Sequence, residues 1–175
     1  LNHRAFAGLN VVAQYDFIFD DPDPSWDPRT DPEGQANHGT ACLSVITGWD
    51  PGFLVGIAPR VSVALAKTEL TGSETEVEED YWIAGLEWLE RLGVDVVSSS
   101  LSYRDWYRRA DFNGVTPAVS RAAERACGLG VVLCNSAGNG GPGAVTIGAP
   151  ADAYSVLAVA AVDSSGRITD FSSRG

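Results

Sequence analysis

The run HGTACLSVITG opens with His38-Gly39-Thr40 and closes at Gly48. A histidine followed by glycine and a β-branched hydroxyl residue, then by apolar side chains at Cys42, Val45 and Ile46, reads as a proton carrier in the first turn of a buried helix. Unpaired N–H groups at a helix N-terminus disfavour an imidazolium, and Gly39 removes a side chain that would crowd a substrate. One histidine alone is better read as a satisfied core or capping group. A second stretch, NSAGNGG from Asn135 to Gly141, adds the chemistry that His38 lacks. Asn139, flanked by glycines at the end of an apolar run, can aim its carboxamide N–H at an oxygen that gains negative charge, and small neighbours let a peptide backbone come close. A base and an oxyanion donor together suit acyl transfer, provided that both face one cleft.

The same glycines permit a competing reading. Gly138, Gly140 and Gly143 match GxGxxG after an apolar run, and Asp163 lies 20 residues beyond Gly143. A dinucleotide site also needs a helix N-terminus for the pyrophosphate. Pro142 interrupts the loop, and the following VTIGAPADAYSV carries Pro150 and returns to strand, so no helix is expected and nucleotide binding is rejected.

The elements that must position these groups follow from hydrophobic periodicity. Residues 1–8 read as loop, Val11–Phe19 as a strand, and the Pro- and Asp-rich 20–37 as a segment that forms neither helix nor central strand. After the His38 helix comes a turn-rich connection over 49–59 and a buried strand at Val61–Lys67. Ser73 to Glu76 has capping-box spacing, and Val77, Tyr81, Ala84, Trp88 and Leu92 recur at helical intervals up to Gly93. Val94–Leu101 is a strand and the polar, aromatic 102–113 a surface loop. Thr116-Pro117 offers an N-cap and an N1 proline for a helix reaching Gly130, and strands follow at Val131–Asn135 and Val156–Val162.

Apolar strands alternating with helices predict an α/β fold: a doubly wound, mostly parallel sheet in three layers, with helices on both faces. Ligands of such sheets gather at the carboxyl ends of the strands. Ser98–Ser102 and Ser136–Gly141 lie at such ends and are expected to meet in one crevice.

A length of 175 residues suits one core. The net charge of −11, with Lys67 the sole lysine, repels phosphate backbones and argues against nucleic-acid binding. The acidic excess fits either a high-salt environment or a genome that favours arginine codons. No run is apolar enough to cross a membrane. Cys42, Cys127 and Cys134 lack CxxC spacing and are expected to be buried free thiols, with a Cys127–Cys134 bridge as the alternative. No cofactor is required and no metal ligands are assigned. The carboxylates of Asp20, Asp21, Asp23, Asp27, Asp31 and Glu33 could gather a structural calcium ion, but they lack EF-hand order and a solvated loop is expected.

Taken together, these motifs resemble the subtilisin-like serine proteases, or subtilases. NHGTACLSVITG is similar to the family's active-site histidine helix, and VGIAP at Val55–Pro59 to the segment after it. VVSSSLS at Val96–Ser102 resembles the strand that lines the primary specificity pocket, and GVVLCNSAGNGG the strand and loop of the oxyanion asparagine. Residues 149–175 resemble the approach to the nucleophile. The resemblance implies His38 as general base and acid and Asn139 as oxyanion donor. It further implies that Ser100, Leu101, Ser102, Ala137 and Gly138 line the pocket and pair with an extended polypeptide substrate, and that Ala149–Pro150 is a cis bond.

The family order is Asp, His, Ser, and only the middle member occurs here. No Gly-Thr-Ser motif is present, Leu1–Phe6 resembles the stretch just after the aspartate motif, and Met is absent. Residues 1–175 are therefore expected to be one partial catalytic domain, cut at both ends and inactive alone, from a secreted or periplasmic endopeptidase that acts through an acyl-enzyme and that a pro-segment could accompany. A non-catalytic, peptide-binding subtilase-like domain is the alternative. Ser102 where the family has glycine, and Ala41 where it has a second histidine, bear on pocket shape and local packing.

Overall fold

The computed structural model describes residues 2–175, which form two compact units, one up to Thr75 and one from Glu76 onward. In the first unit, β1 (Asn10–Asp16) pairs in parallel with β4 (Ser62–Lys67), from Asn10 opposite Ser62 to Asp16 opposite Lys67. The first strand ends earlier than Phe19 because Asp16 turns the chain, its Oδ1 accepting from the N–H groups of Ile18 at 2.8 Å and Phe19 at 3.2 Å. Its Oδ2 meets Lys67 Nζ at 2.8 Å, and Asp31 Oδ1 meets the same ammonium at 2.7 Å. Asp31, expected in a solvated loop, is thus buried and paired, and it tethers the acidic segment to the sheet.

Three further expectations for this unit are corrected. Residues expected to be loop include a 3-10 turn at Arg4–Phe6 that buries Ala5 and Phe6, and the connection after the histidine helix holds a hairpin, β2 (Trp49–Asp50) with β3 (Leu54–Val55). The helix α1 (Gln35–Thr47) starts inside the segment read as non-helical, after Gly34 at φ 86°, a left-handed conformation that glycine adopts at little cost. Most of α1 is exposed, and Thr47 is its one buried residue.

The second unit packs α2 (Val77–Arg91) and α3 (Ala118–Gly128) against a parallel sheet of β5 (Val96–Ser99), β6 (Val132–Ser136) and β7 (Leu157–Val159), in that order. The core joins Trp82 and Leu86 of α2 to Val119, Ala123 and Ala126 of α3 and to Val97 and Leu133 of the sheet. Within this unit the sheet's other face carries Val96, Val132, Leu157 and Val159 at 59, 47, 56 and 55% exposure.

The helix α2 turns a different face inward from the one the periodicity suggested. Val77 and Leu92 are exposed, whereas Glu78, Glu79, Trp82, Gly85 and Leu86 are buried. Both stripes recur at helical intervals, and the inner one was masked by two glutamates that enter a core only when paired. Glu79 is paired: Trp106 Nε1 donates to it at 2.6 Å and the Tyr107 hydroxyl at 2.9 Å. These donors belong to the segment expected as a surface loop, where Tyr103 is 2% exposed and stacks beside Trp106 at 6.0 Å. The N-cap of α2 is Glu76 and that of α3 is Pro117, neither with a side-chain cap hydrogen bond, so both caps fall downstream of the expected Ser73 and Thr116.

Candidate functional site

At the carboxyl ends of β5, β6 and β7 an open cleft of about 290 Å³ is lined by Ser98–Ser100, Cys134–Ser136, Gly138, Asn139 and Val159–Ala161. The two polar stretches expected to share a crevice do so, because parallel strands deliver all their carboxyl ends to one edge. Asn139 is exposed at this cleft, and Ser100 and Gly138 line it. Leu101, Ser102 and Ala137 do not. Leu101 packs on the core, Ala137 is 2% exposed, and Ser102 turns its hydroxyl toward Gly138 and Gly148.

The glycine-rich loop is held by residues that carried no signal in the sequence. Asn135, fully buried, donates from Nδ2 to Leu101 O and to Ser136 O, both at 2.9 Å, which fixes the chain leaving β5 to the end of β6. Ser136 Oγ accepts from Gly138 N–H at 3.1 Å. From the end of the chain, Ser173 N–H donates to Gly138 O at 2.8 Å and Ser173 Oγ accepts from Gly140 N–H at 2.9 Å. Gly138 itself has φ +100°, and a Cβ there would come within 3.0 Å of Ser173 Oγ. Backbone and side chain together therefore set where Asn139 stands. The sole hint was a run of short hydroxyl residues, FSSRG, whose partners lie far away in sequence.

His38 is the fourth residue of α1, in its first turn as expected, and is exposed, on a helix that is largely exposed and not buried as expected. Its Nε2 lies 3.7 Å from Cys42 Sγ, one helical turn on. A Cβ at Gly39 would meet nothing within 4 Å, so packing among the described residues does not explain the glycine. The three cysteines are free and only partly buried. Among the described residues no three His, Cys, Asp or Glu side chains gather in a way that could hold a metal ion. The acidic loop instead satisfies its own carboxylates: Asp21 and Asp23 accept from the N–H groups of Asp23 and Ser25, and Asp27 pairs with Arg29. No helix opens after Gly143, and no helix among the described residues is long and apolar enough to cross a membrane. Ala149–Pro150 is cis, as the resemblance implied, and Gly141–Pro142 is cis as well.

Comparison with known proteins adds an independent line. The profile of the peptidase S8 family, the subtilase family, matches residues 10–175. Subtilisin DY of Bacillus licheniformis is 36% identical over 153 residues, covering 84% of this chain and 50% of that protein. The minor extracellular protease Vpr of Bacillus subtilis is 32% identical over 152 residues, covering 84% of this chain and 17% of its own length. Among solved structures, sphericase superposes with a TM-score of 0.69 at 25% identity, covering 99% of this chain and 55% of that one. The prenylagaramide maturation protease PagA reaches 0.72 at 22% identity, over 98% of this chain and 53% of its own, and speaks for the fold alone. The chain spans half or less of the length of these two curated relatives.

Proposed function

Because the chain belongs to the subtilase family, a family of serine peptidases, we propose that it is the histidine- and asparagine-bearing part of a subtilisin-like endopeptidase that cleaves polypeptides through an acyl-enzyme. The observation that carries this reading is the cleft at the strand ends, where Asn139 stands exposed on a loop stitched down by Asn135, Ser136 and Ser173. A donor held before the reaction starts pays no reorganisation when the carbonyl oxygen becomes negative, which is what oxyanion stabilisation requires.

In this reading His38 takes the proton of a serine hydroxyl during attack and returns it to the leaving amine, while Asn139 donates to the oxyanion. Ser100 and Gly138, which line the cleft, form the edge that receives the substrate chain, with Leu101, Ser102 and Ala137 packed behind it. The nucleophile and the orienting carboxylate belong to sequence outside residues 1–175, so these residues alone cleave nothing. No cofactor enters the chemistry, and the enzyme works outside the cytoplasm.

The test is hydrolysis by the longer protein that contains this segment. His38→Ala is expected to abolish turnover and labelling by a fluorophosphonate probe. Asn139→Ala is expected to lower kcat by about 10²–10³ while KM holds, the loss known for this donor in the subtilisin family itself. Labelling of residues 1–175 alone, or an Asn139→Ala variant of undiminished kcat, contradicts the proposal. A longer protein that binds extended peptides and cleaves none supports a binding module instead.

A further inference from the structure

Asparagine is followed by glycine at two places in the chain, Asn113-Gly114 and Asn139-Gly140. In water this is the most labile context for an asparagine. The backbone nitrogen of the next residue can attack the side-chain Cγ, and a glycine, having no Cβ, leaves that nitrogen unhindered. The two sites are held differently. At the first, Asn113 Nδ2 donates to Ala110 O at 3.2 Å and to Thr116 Oγ1 at 2.9 Å, and Oδ1 accepts from the N–H groups of Val115 and Thr116 at 3.1 and 2.9 Å. Gly114 N–H donates to Asp152 Oδ2 at 2.9 Å, so side chain and attacking nitrogen are both engaged. At the second, the Asn139 carboxamide is exposed on the cleft and has no hydrogen bond among the described residues. The restraint lies on its neighbour: Gly140 N–H donates to Ser173 Oγ at 2.9 Å. Ser173 is 2% exposed and is itself fixed, its N–H donating to Gly138 O at 2.8 Å.

An N–H that donates to a buried hydroxyl must give up that bond before its nitrogen can reach Cγ. We infer that Asn139 is a site of spontaneous deamidation whose rate is set by the hydroxyl of Ser173. Gly140 N loses its proton to solvent and attacks Asn139 Cγ; the Cγ–Nδ2 bond breaks, ammonia leaves and a succinimide ring closes. Water then opens the ring at either carbonyl and leaves aspartate or isoaspartate, with no atom oxidised or reduced. The product puts a negatively charged acceptor where the carboxamide offered an N–H donor, which repels an oxyanion instead of stabilising it. This last consequence rests on the reading of Asn139 as the oxyanion donor, whereas the modification itself does not. Ser173 is a positioning residue that delays the loss of that donor.

The experiment incubates the longer protein that contains this segment in neutral buffer, with a reversible serine-protease inhibitor that is removed before assay. Mass mapping of peptides measures the exchange of amide for acid at each asparagine, and enzymatic methylation counts isoaspartate. Conversion at Asn139 is expected to exceed that at Asn113. Ser173→Ala is expected to speed conversion at Asn139 about 3- to 10-fold, as for the loss of one hydrogen bond, and to leave Asn113 unchanged. Unfolding the unsubstituted protein in urea is expected to speed conversion at Asn139 at least as much, a comparison that needs no variant to fold. Gly140→Ala in the Ser173→Ala background, where Ser173 Oγ no longer lies 3.3 Å from the added Cβ, is expected to suppress conversion at Asn139. The kcat of the recovered enzyme is expected to fall in step with the fraction converted. Conversion that leaves kcat intact keeps the modification site and removes Asn139 as the oxyanion donor. Equal rates at Asn139 in native and urea-unfolded protein, equal acceleration at Asn113 in folded Ser173→Ala, or conversion undiminished by Gly140→Ala overturns the proposal.

Discussion

Lys67 holds two carboxylates at once, with Asp16 and Asp31 side chains at 2% and 0% exposure and its own at 11%. Such a cluster returns little net energy when it is made, but removing the cation strands two buried negative charges. Lys67→Met is therefore expected to cost about 3–5 kcal/mol, measured by urea unfolding at neutral pH. Burial pulls the Lys67 pKa down, yet the hydrogen bonds to Asp16 and Asp31 outweigh it and hold the ammonium above the ordinary lysine range. Its contribution is complete below the unfolded pKa of about 10.4 and disappears as pH rises through the higher folded value. The stability gap between the native chain and Lys67→Met should then shrink as pH climbs past 10.4, roughly, and a constant gap would refute the pairing. At the surface the sign is opposite. The hydrogen bond from Arg29 holds Asp27 down to about 2, so this pair stabilises above the ordinary aspartate range and is lost as pH falls through that value. Arg29→Gln should raise the Asp27 carboxyl toward its ordinary range in an NMR titration, while the backbone N–H of residue 29, which also donates to it at 2.9 Å, keeps part of the lowering.

At the scale of elements, α2 shows how a helix chooses its face. Trp82 lies in the core, with Nε1 donating to Ser99 Oγ at 3.1 Å, whereas Val77 and Leu92 are 45 and 49% exposed. Trp82→Ala should cost about 3–5 kcal/mol, and Val77→Ala or Leu92→Ala about 0.5 kcal/mol or less, by urea unfolding. Comparable costs at all three positions would mean that the stripe of apolar residues read from the sequence is the buried one. Glu79→Ala tests the same packing from the polar side: it strands the indole N–H of Trp106 and the hydroxyl of Tyr107, at about 1–3 kcal/mol for each group left unpaired. The strands needed no such correction in type. Short length, β-branched residues and flanking turns separate such runs from helices, and β4, β5, β6 and β7 all lie within or nearly within the runs that marked them.

For the molecule as a whole, a net charge of −11 is a standing self-repulsion that is spread over the surface. Exposed charges further apart than a Debye length, about 10 Å at 0.1 M salt, cease to interact when salt is added. Raising NaCl from 0.05 to 1 M should therefore increase the Tm by a few degrees, and a Tm that falls would show that attractive surface pairs outweigh the excess of acid. The same charge should keep the protein from binding DNA at physiological salt, which an electrophoretic shift with a duplex checks.

The sequence by itself determined the alternation of strand and helix, the parallel pairing that follows from it, the family, and the meeting of Ser98–Ser100 with the Asn139 loop. All of these depend on residue order and local periodicity, which a linear chain carries explicitly. The inward face of α2, the pairing of Asp31 with Lys67 and the anchoring of Gly138 and Gly140 by Ser173 were decided by tertiary structure. So was the unpaired hydroxyl of Ser102 against two glycines. Each of these turns on a partner tens of residues away. A buried polar group is favourable or costly according to whether that partner arrives, and only the folded chain brings it there.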